Sequence, residues 1–162
     1  MRRVAVTGHM DLAEGTDVLV RDALRDLLGE LAESADGVVG VSCIAPGADS
    51  LFAEAVLAAG GELTVVLPFH DYRRSLAGAD QAARFDRLVA AASDVTVMPY
   101  AEPVLEAFEA ANTELLKRAD VLVAVWDGVP PEKGGGTAET VAEAREAGIP
   151  VHVVWPEGAR RR

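Results

Sequence analysis

Residues 121–128 read Val-Leu-Val-Ala-Val-Trp-Asp-Gly, and this stretch decides the fold. Six apolar residues in succession, without polar alternation, fit a strand buried on both faces, as parallel strands are when helices cover the sheet above and below. The Asp127-Gly128 pair then breaks the run as a turn. Working outward, comparable strand candidates lie at Arg3–Thr7, Gly37–Ile44, Glu62–Leu67, Asp94–Met98 and Val151–Trp155.

Helical patterns fill the intervals. Val20, Leu24, Leu27, Leu28 and Leu31 form one stripe at 3.6-residue spacing, ended by the Ser34–Gly37 breaker. Phe52, Ala55, Val56 and Ala59 form a second, stopped by Gly60-Gly61. Phe85, Leu88, Val89 and Ala92 make a third, and Val104, Phe108, Ala111 and Leu115 a fourth. A fifth helix is expected from about Thr137 to Ala147, stopping at Gly148 before Pro150. Strands alternating with helices in this way specify an α/β fold: a single-domain, Rossmann-like open parallel sheet of about six strands, with helices on both faces. The domain is expected to span residues 1–157, with 158–162 a frayed tail.

The chain has 162 residues, half of them apolar and a quarter charged, which suits one globular core. Its 15 Lys and Arg against 26 Asp and Glu give a net charge of −11. That disfavours an extended nucleic-acid surface, which needs clustered cations against phosphates. A nucleotide held in a pocket by backbone N–H groups remains compatible. Much of the acid falls on helical stretches (Asp17–Glu33, Glu102–Glu114 and Glu139–Glu146), where solvated faces account for it. A lone cysteine, Cys43, leaves no intrachain disulfide and fits a reducing, cytoplasmic setting. There is no apolar run of membrane-helix length, and the amino terminus passes straight into a strand pattern, so neither a membrane partner nor a signal peptide is expected. His9, His70 and His152 are not spaced as a zinc set with Cys43; no metal and no cofactor are expected.

In an open parallel sheet, ligands bind at the carboxyl ends of the strands, near the point where strand order reverses. The residues after each strand therefore carry the functional argument. Gly8 and His9 follow the first strand; a histidine there can donate to a ligand or exchange a proton, or serve as a bonded structural group. Gly47, Ala48 and Asp49 follow the second. The two small residues permit close approach, and Asp49 can accept from ribose hydroxyls or cap the following helix. Asp127 follows the buried run and faces the crevice, as a ribose partner, a base or a turn residue. Gly134, Gly135 and Gly136 precede Thr137 at the start of the last helix. Bare N–H groups at a helix N-terminus make a cradle for phosphate or carboxylate, and the same glycines also read as a flexible connection. Glu139 lies in the first turn of that helix, as a catalytic carboxylate or a partner for the helix dipole. Neither a Walker loop nor a dinucleotide fingerprint is present. Arg73 and Arg74 stand near a strand end, for a phosphate or for solvent; Cys43, inside an apolar strand, is expected to pack.

As a set, Thr7-Gly8-His9, Gly47-Ala48-Asp49 and Gly136-Thr137-Ala138-Glu139 resemble the SLOG superfamily, with Leu67-Pro68-Phe69 and Asn112 in support. That group includes the lonely-guy phosphoribohydrolases, the Rossmann domain of DNA processing protein A and the YpsA-like proteins. The resemblance covers roughly residues 3–155 and implies a nucleotide-binding Rossmann-like fold. It departs from the enzymatic members at Lys133-Gly134-Gly135-Gly136-Thr137-Ala138-Glu139, which lacks their proline and brings the glutamate one residue nearer the threonine. Met10 stands where many relatives carry arginine. The shorter form looks closer to the YpsA-like branch. A neighbouring resemblance is to nucleoside deoxyribosyltransferases.

The expectation is a protein that binds a nucleotide or nucleotide-derived ligand as a sensor or regulatory module. Gly134, Gly135, Gly136 and Thr137 would hold phosphate, Gly8, Gly47 and Ala48 would line the floor, and His9, Asp49 and Asp127 would engage the rest. The alternative is an enzyme that cleaves or transfers an N-glycosidic bond, with Glu139 and Asp127 as catalytic carboxylates. A scaffold with a vestigial pocket is a third reading. A homodimer is compatible with the pattern.

Overall fold

The computed structural model describes residues 1–130 and 136–162. The described chain runs β1 (Arg2–Gly8), α1 (Thr16–Ala35), β2 (Val38–Ser42), α2 (Ala48–Ala58), β3 (Glu62–Leu67), a short 3-10 turn (Tyr72–Ser75), α3 (Ala79–Ala91), β4 (Asp94–Val97), α4 (Leu105–Lys117), β5 (Val121–Val125), α5 (Thr137–Glu146) and β6 (Val151–Val154). The six strands form one sheet in the order β4-β3-β2-β1-β5-β6, and every pairing is parallel. This is the open, doubly covered α/β sheet that the alternating sequence pattern specifies.

The apolar runs are continuous because both faces of the central strands are covered. Val4 and Val6 of β1, with Val123 and Val125 of β5, pack beneath Val20, Leu24 and Leu28 of α1 and Leu51, Phe52 and Val56 of α2. The intervening Ala5, Leu122 and Ala124 turn to the other face, where Ala111 and Leu115 of α4 and Val141 and Ala144 of α5 meet them. Burying each large side chain contributes roughly 1.5–3 kcal/mol. Crossovers from β1 to β2, β3 and β4 step one way with their helices on one face. The return through α4 to β5, and on through α5 to β6, uses the other. Strand order therefore reverses between β1 and β5, which is where sheets of this kind hold their ligands. Gly8, the last residue of β1, lies opposite Val125, the last residue of β5.

The sequence pattern missed three details. β2 ends at Ser42, two residues early, because Ile44 adopts a left-handed φ of 46° that no strand accommodates. β4 and β6 are edge strands and are largely exposed, with Val95, Val97 and Val153 open to solvent; an edge lacks a neighbour, and helices do not fully overlap it. The third concerns residues 158–162, expected to fray. Instead Gly158 turns the chain at φ 89°, and Leu12 and Arg161 form an antiparallel bridge. The Ala13 N–H donates to Arg160 O at 2.8 Å and the Arg162 N–H to Asp11 O at 2.8 Å. The buried Thr16 hydroxyl accepts from the Arg160 N–H at 3.0 Å. The loop after β1 has unpaired backbone groups, and the tail supplies their partners.

Candidate functional site at the carboxyl ends of the strands

His9 follows β1 with its backbone N–H on Val125 O at 3.1 Å, so its ring is set at the β1–β5 junction by an extension of the sheet pairing. The ring is only 8% exposed and packs edge-on against Trp155 at 5.6 Å. The Asp127 backbone N–H donates to His9 Nε2 at 3.2 Å, and Asp127 Oδ1 lies 3.3 Å from the same nitrogen. An Nε2 that accepts a bond places the proton of a neutral ring on Nδ1. Protonation would instead turn Nε2 into a donor toward the carboxylate. Burial, and then the Arg161 guanidinium, hold the imidazole below its ordinary pKa, against the opposing pull of Asp127 and Asp11.

Burial works against ionisation of Asp127. The Val129 N–H, His9 and Arg161 outweigh it and keep the carboxyl below its usual range. Val129 N–H donates to Oδ1 at 3.0 Å, and Arg161 Nη1 stands 3.8 Å from Oδ2. The result is an ionised carboxylate beside a neutral imidazole at the crevice mouth.

Gly8, Gly47 and Ala48 form a tight junction beneath it. A Cβ on Gly8 would lie 2.5 Å from the Ala48 Cβ, and one on Gly47 2.7 Å from His9 O. Ala48 is fully buried, and its N–H donates to His9 O at 3.1 Å. These small residues thus let α2 approach β1 and fix His9; the space they leave is filled by the protein, and Ala48 offers no side-chain surface to a ligand.

Asp49 lies in the first turn of α2, after a Gly47 N-cap, and makes no cap bond itself. It is partly buried, within electrostatic reach of Cys43 and Tyr72. Burial pushes its carboxyl up to about 7, against a hydrogen bond from the Ala45 backbone. The loop leading to it is held by two serines. The Ser42 hydroxyl accepts from the Ile44 N–H at 3.0 Å and donates to Asp49 O at 3.1 Å. Ser50 donates to Ala45 O at 2.7 Å. A buried isoleucine at positive φ is costly and persists only where its surroundings over-determine it, and these hydroxyls do so.

On the other side of the crevice, Gly136 is the N-cap of α5 at φ 80°, with Thr137 partly buried as the first helical residue and without a side-chain cap bond. Gly134 and Gly135 lie outside the described residues. Glu139 is exposed; it lines a small groove of about 120 Å³ between α4 and α5 with Phe108, Asn112, Gly136 and Glu143. The structure therefore brings His9, Asp127 and Asp49 to one edge and places Glu139 in a separate groove. A larger groove of about 810 Å³ opens toward α1, α2 and α3, lined in part by Met10, Gly47, Glu54, Gln81, Arg84 and Arg162. Arg73 is spent on Asp86, at 2.8 and 2.9 Å, and Cys43 is buried, with its thiol pushed up by that burial. Among the described residues, no His, Cys, Asp and Glu cluster is arranged to hold a metal.

Sequence reasoning missed the serines and Arg161. Ser42-x-x-x-x-x-x-Asp49-Ser50 carried a weak signal, since short hydroxyls beside a Pro-Gly loop commonly tie backbone. The tail carried none, because its partners are 150 residues away.

The fold is that of a Rossmann-like α/β domain. The matching solved structures agree on the fold. DNA processing protein A from Streptococcus pneumoniae superposes with a TM-score of 0.68 at 19% identity, over 98% of this chain and 52% of that one. The Helicobacter pylori protein of the same name, described for its single-stranded DNA binding mode, gives 0.66 at 16% identity, over 99% and 68%. The molybdenum cofactor (Moco) carrier protein from Chlamydomonas reinhardtii gives 0.59 at 23%, over 96% and 78%. The chain thus spans about half the length of the S. pneumoniae protein. These likenesses show a shared Rossmann-like fold. No protein-family model and no curated protein matches the sequence.

No helix among the described residues is long and apolar enough to cross a membrane.

Proposed function

We propose that the chain binds a nucleotide or nucleotide-derived anion at the β1–β5 crevice, as a sensor or regulatory module. The observation that carries this reading is the His9–Asp127 pair at the point where strand order reverses. There an ionised carboxylate suits ribose hydroxyls, and a neutral imidazole can donate from Nδ1. Two of the similar structures are named for binding single-stranded DNA and for carrying the molybdenum cofactor, which supports a ligand-holding role for the fold. The net charge of −11 favours one small ligand over a nucleic-acid strand. Calorimetric titration with AMP, CMP, GMP and UMP tests it. We expect a Kd of about 1–100 µM for at least one, weakened about tenfold by Asp127→Ala. If none binds below about 1 mM, the reading falls.

One observation favours a second reading, cleavage or transfer of an N-glycosidic bond. Asp127 is held ionised and Asp49 is held near neutrality on the same strand edge. Unequal carboxyls are what such chemistry requires, one to stabilise an oxocarbenium and one to protonate the leaving base. Free base released from AMP or deoxyadenosine, and lost in Asp49→Asn, is the expected signature.

A further inference from the structure

We infer that the five-residue tail is part of the strand-end site, with Arg161 as its cation for an anionic ligand group of the phosphate or carboxylate class. This rests on the crevice being an anion site.

The geometry is specific. Arg161 is hydrogen-bonded through Nε, which lies 3.0 Å from both oxygens of Asp11, and its backbone pairs with Leu12. Arg162 fastens the same segment through Nε to Leu12 O at 2.9 Å. The guanidinium is thereby aimed at the crevice, where Nη1 approaches Asp127 Oδ2 at 3.8 Å, beyond hydrogen-bond distance. A side chain 43% exposed, with Nε bonded to Asp11 and Nη1 at 3.8 Å from Asp127, keeps Nη donors that a phosphate or carboxylate can take. An arriving anion would take the Nη donors and leave Asp127 for the sugar.

The sequence makes the same demand from another direction. Met10 occupies the position after Gly8-His9 and brings no charge, while Arg161 of the tail acts electrostatically on both His9 and Asp127. In a strongly acidic chain, a cation at that spot adds to what backbone N–H groups can offer an anion. The tail supplies one through backbone pairing, without using a loop position.

The test compares wild type with Arg161→Gln and Arg161→Lys, titrated separately with AMP and with inorganic phosphate. Imidazole NMR of ligand-free protein follows His9, which faces Asp127 from the β5 end, Asp11 from its own loop, Arg161 from the tail and the Trp155 ring just after β6. We expect Arg161→Gln to weaken binding about tenfold or more, Arg161→Lys to restore part of it, and the His9 midpoint to move up toward its ordinary value in Arg161→Gln. AMP binding that is indifferent to Arg161 overturns the inference and leaves the nucleotide reading standing. Phosphate binding that depends on Arg161 without any AMP binding keeps the inference and removes the nucleotide. If neither probe binds wild type, both fail. An unmoved His9 midpoint means the tail does not sit over the crevice, and overturns the inference whatever the titrations give.

Discussion

Two carboxylates stand at the same edge of the sheet and are treated in opposite ways. At the β1–β5 mouth, Asp127 has a backbone N–H, a histidine and an arginine around it and is held ionised. At the β2–α2 corner, burial pushes the Asp49 carboxyl up to about 7, against a hydrogen bond from the Ala45 backbone. Strand-end position alone therefore does not set charge. The supply of donors does, and donors come from whatever the neighbouring loop can bring. β5 is followed by a turn whose N–H groups fold back, and by the tail. β2 is followed by a strained loop whose serines serve the backbone and leave the carboxylate nearly unaided.

The largest expected effect breaks both regions at once. Gly47 sits between them at φ 80°, and a Cβ there would lie 2.7 Å from His9 O and 2.9 Å from Met10 Cα. Neither neighbour is a flexible side-chain tip. Gly47→Ala should cost about 3 kcal/mol or more, from the backbone clash added to the left-handed penalty. Gly78→Ala, at φ 87° and ψ 151° with nothing within 4 Å, carries a positive-φ penalty without a clash and should cost about 1–3 kcal/mol. Urea denaturation measures both, and equal losses would mean the junction is not tight.

A smaller effect, of opposite sign, comes from Asp49. Its raised pKa means the unfolded chain holds the ionised form more readily, so the cost to folding is absent below about 4 and complete above about 7. Asp49→Asn should raise stability by on the order of 1–3 kcal/mol at pH 8, and the gain should disappear by pH 4. A variant that stabilises equally at both values would show that packing, and not charge, is the cause.

The contrast between the two carboxylates also explains how much could be read from sequence. Strand and helix identity was legible because hydrophobic periodicity is local: Val121–Val125 needs no partner to declare itself. Placement of His9 and Asp127 at one crevice followed from the rule for parallel sheets. What was not legible depended on distance in the chain. Asp49 and Asp127 each look like a carboxylate after a strand, and only the surrounding three-dimensional donors separate them. Ile44 gives no local sign of a positive φ, since isoleucine is the residue least expected there. Glu139 was grouped with Asp127 because its helix starts at the same sheet edge, yet it is exposed in the groove between α4 and α5. The Arg160–Arg162 tail looked like a solvated end because charged termini usually are, and its pairing with residues 11–13 arises only once the fold brings them together.

The smallest effect is a pH dependence in which the two regions oppose each other. His9 has its pKa lowered by burial, so the folded protein resists a proton that the unfolded chain accepts. Its contribution is fully present above the ordinary histidine value of 6.5 and is lost as pH falls below it. Asp49 pulls the other way, with a cost that grows as pH rises from 4 toward 7. In wild type between pH 5.5 and 7, these slopes partly cancel and the curve should be shallow. Single variants separate them. In Asp49→Asn, only the histidine slope remains and stability should rise with pH across that interval. In His9→Gln, the carboxylate slope remains and stability should fall. Urea midpoints at five pH values suffice, and two variants with slopes of the same sign would show that one of these side chains does not titrate in the surroundings described.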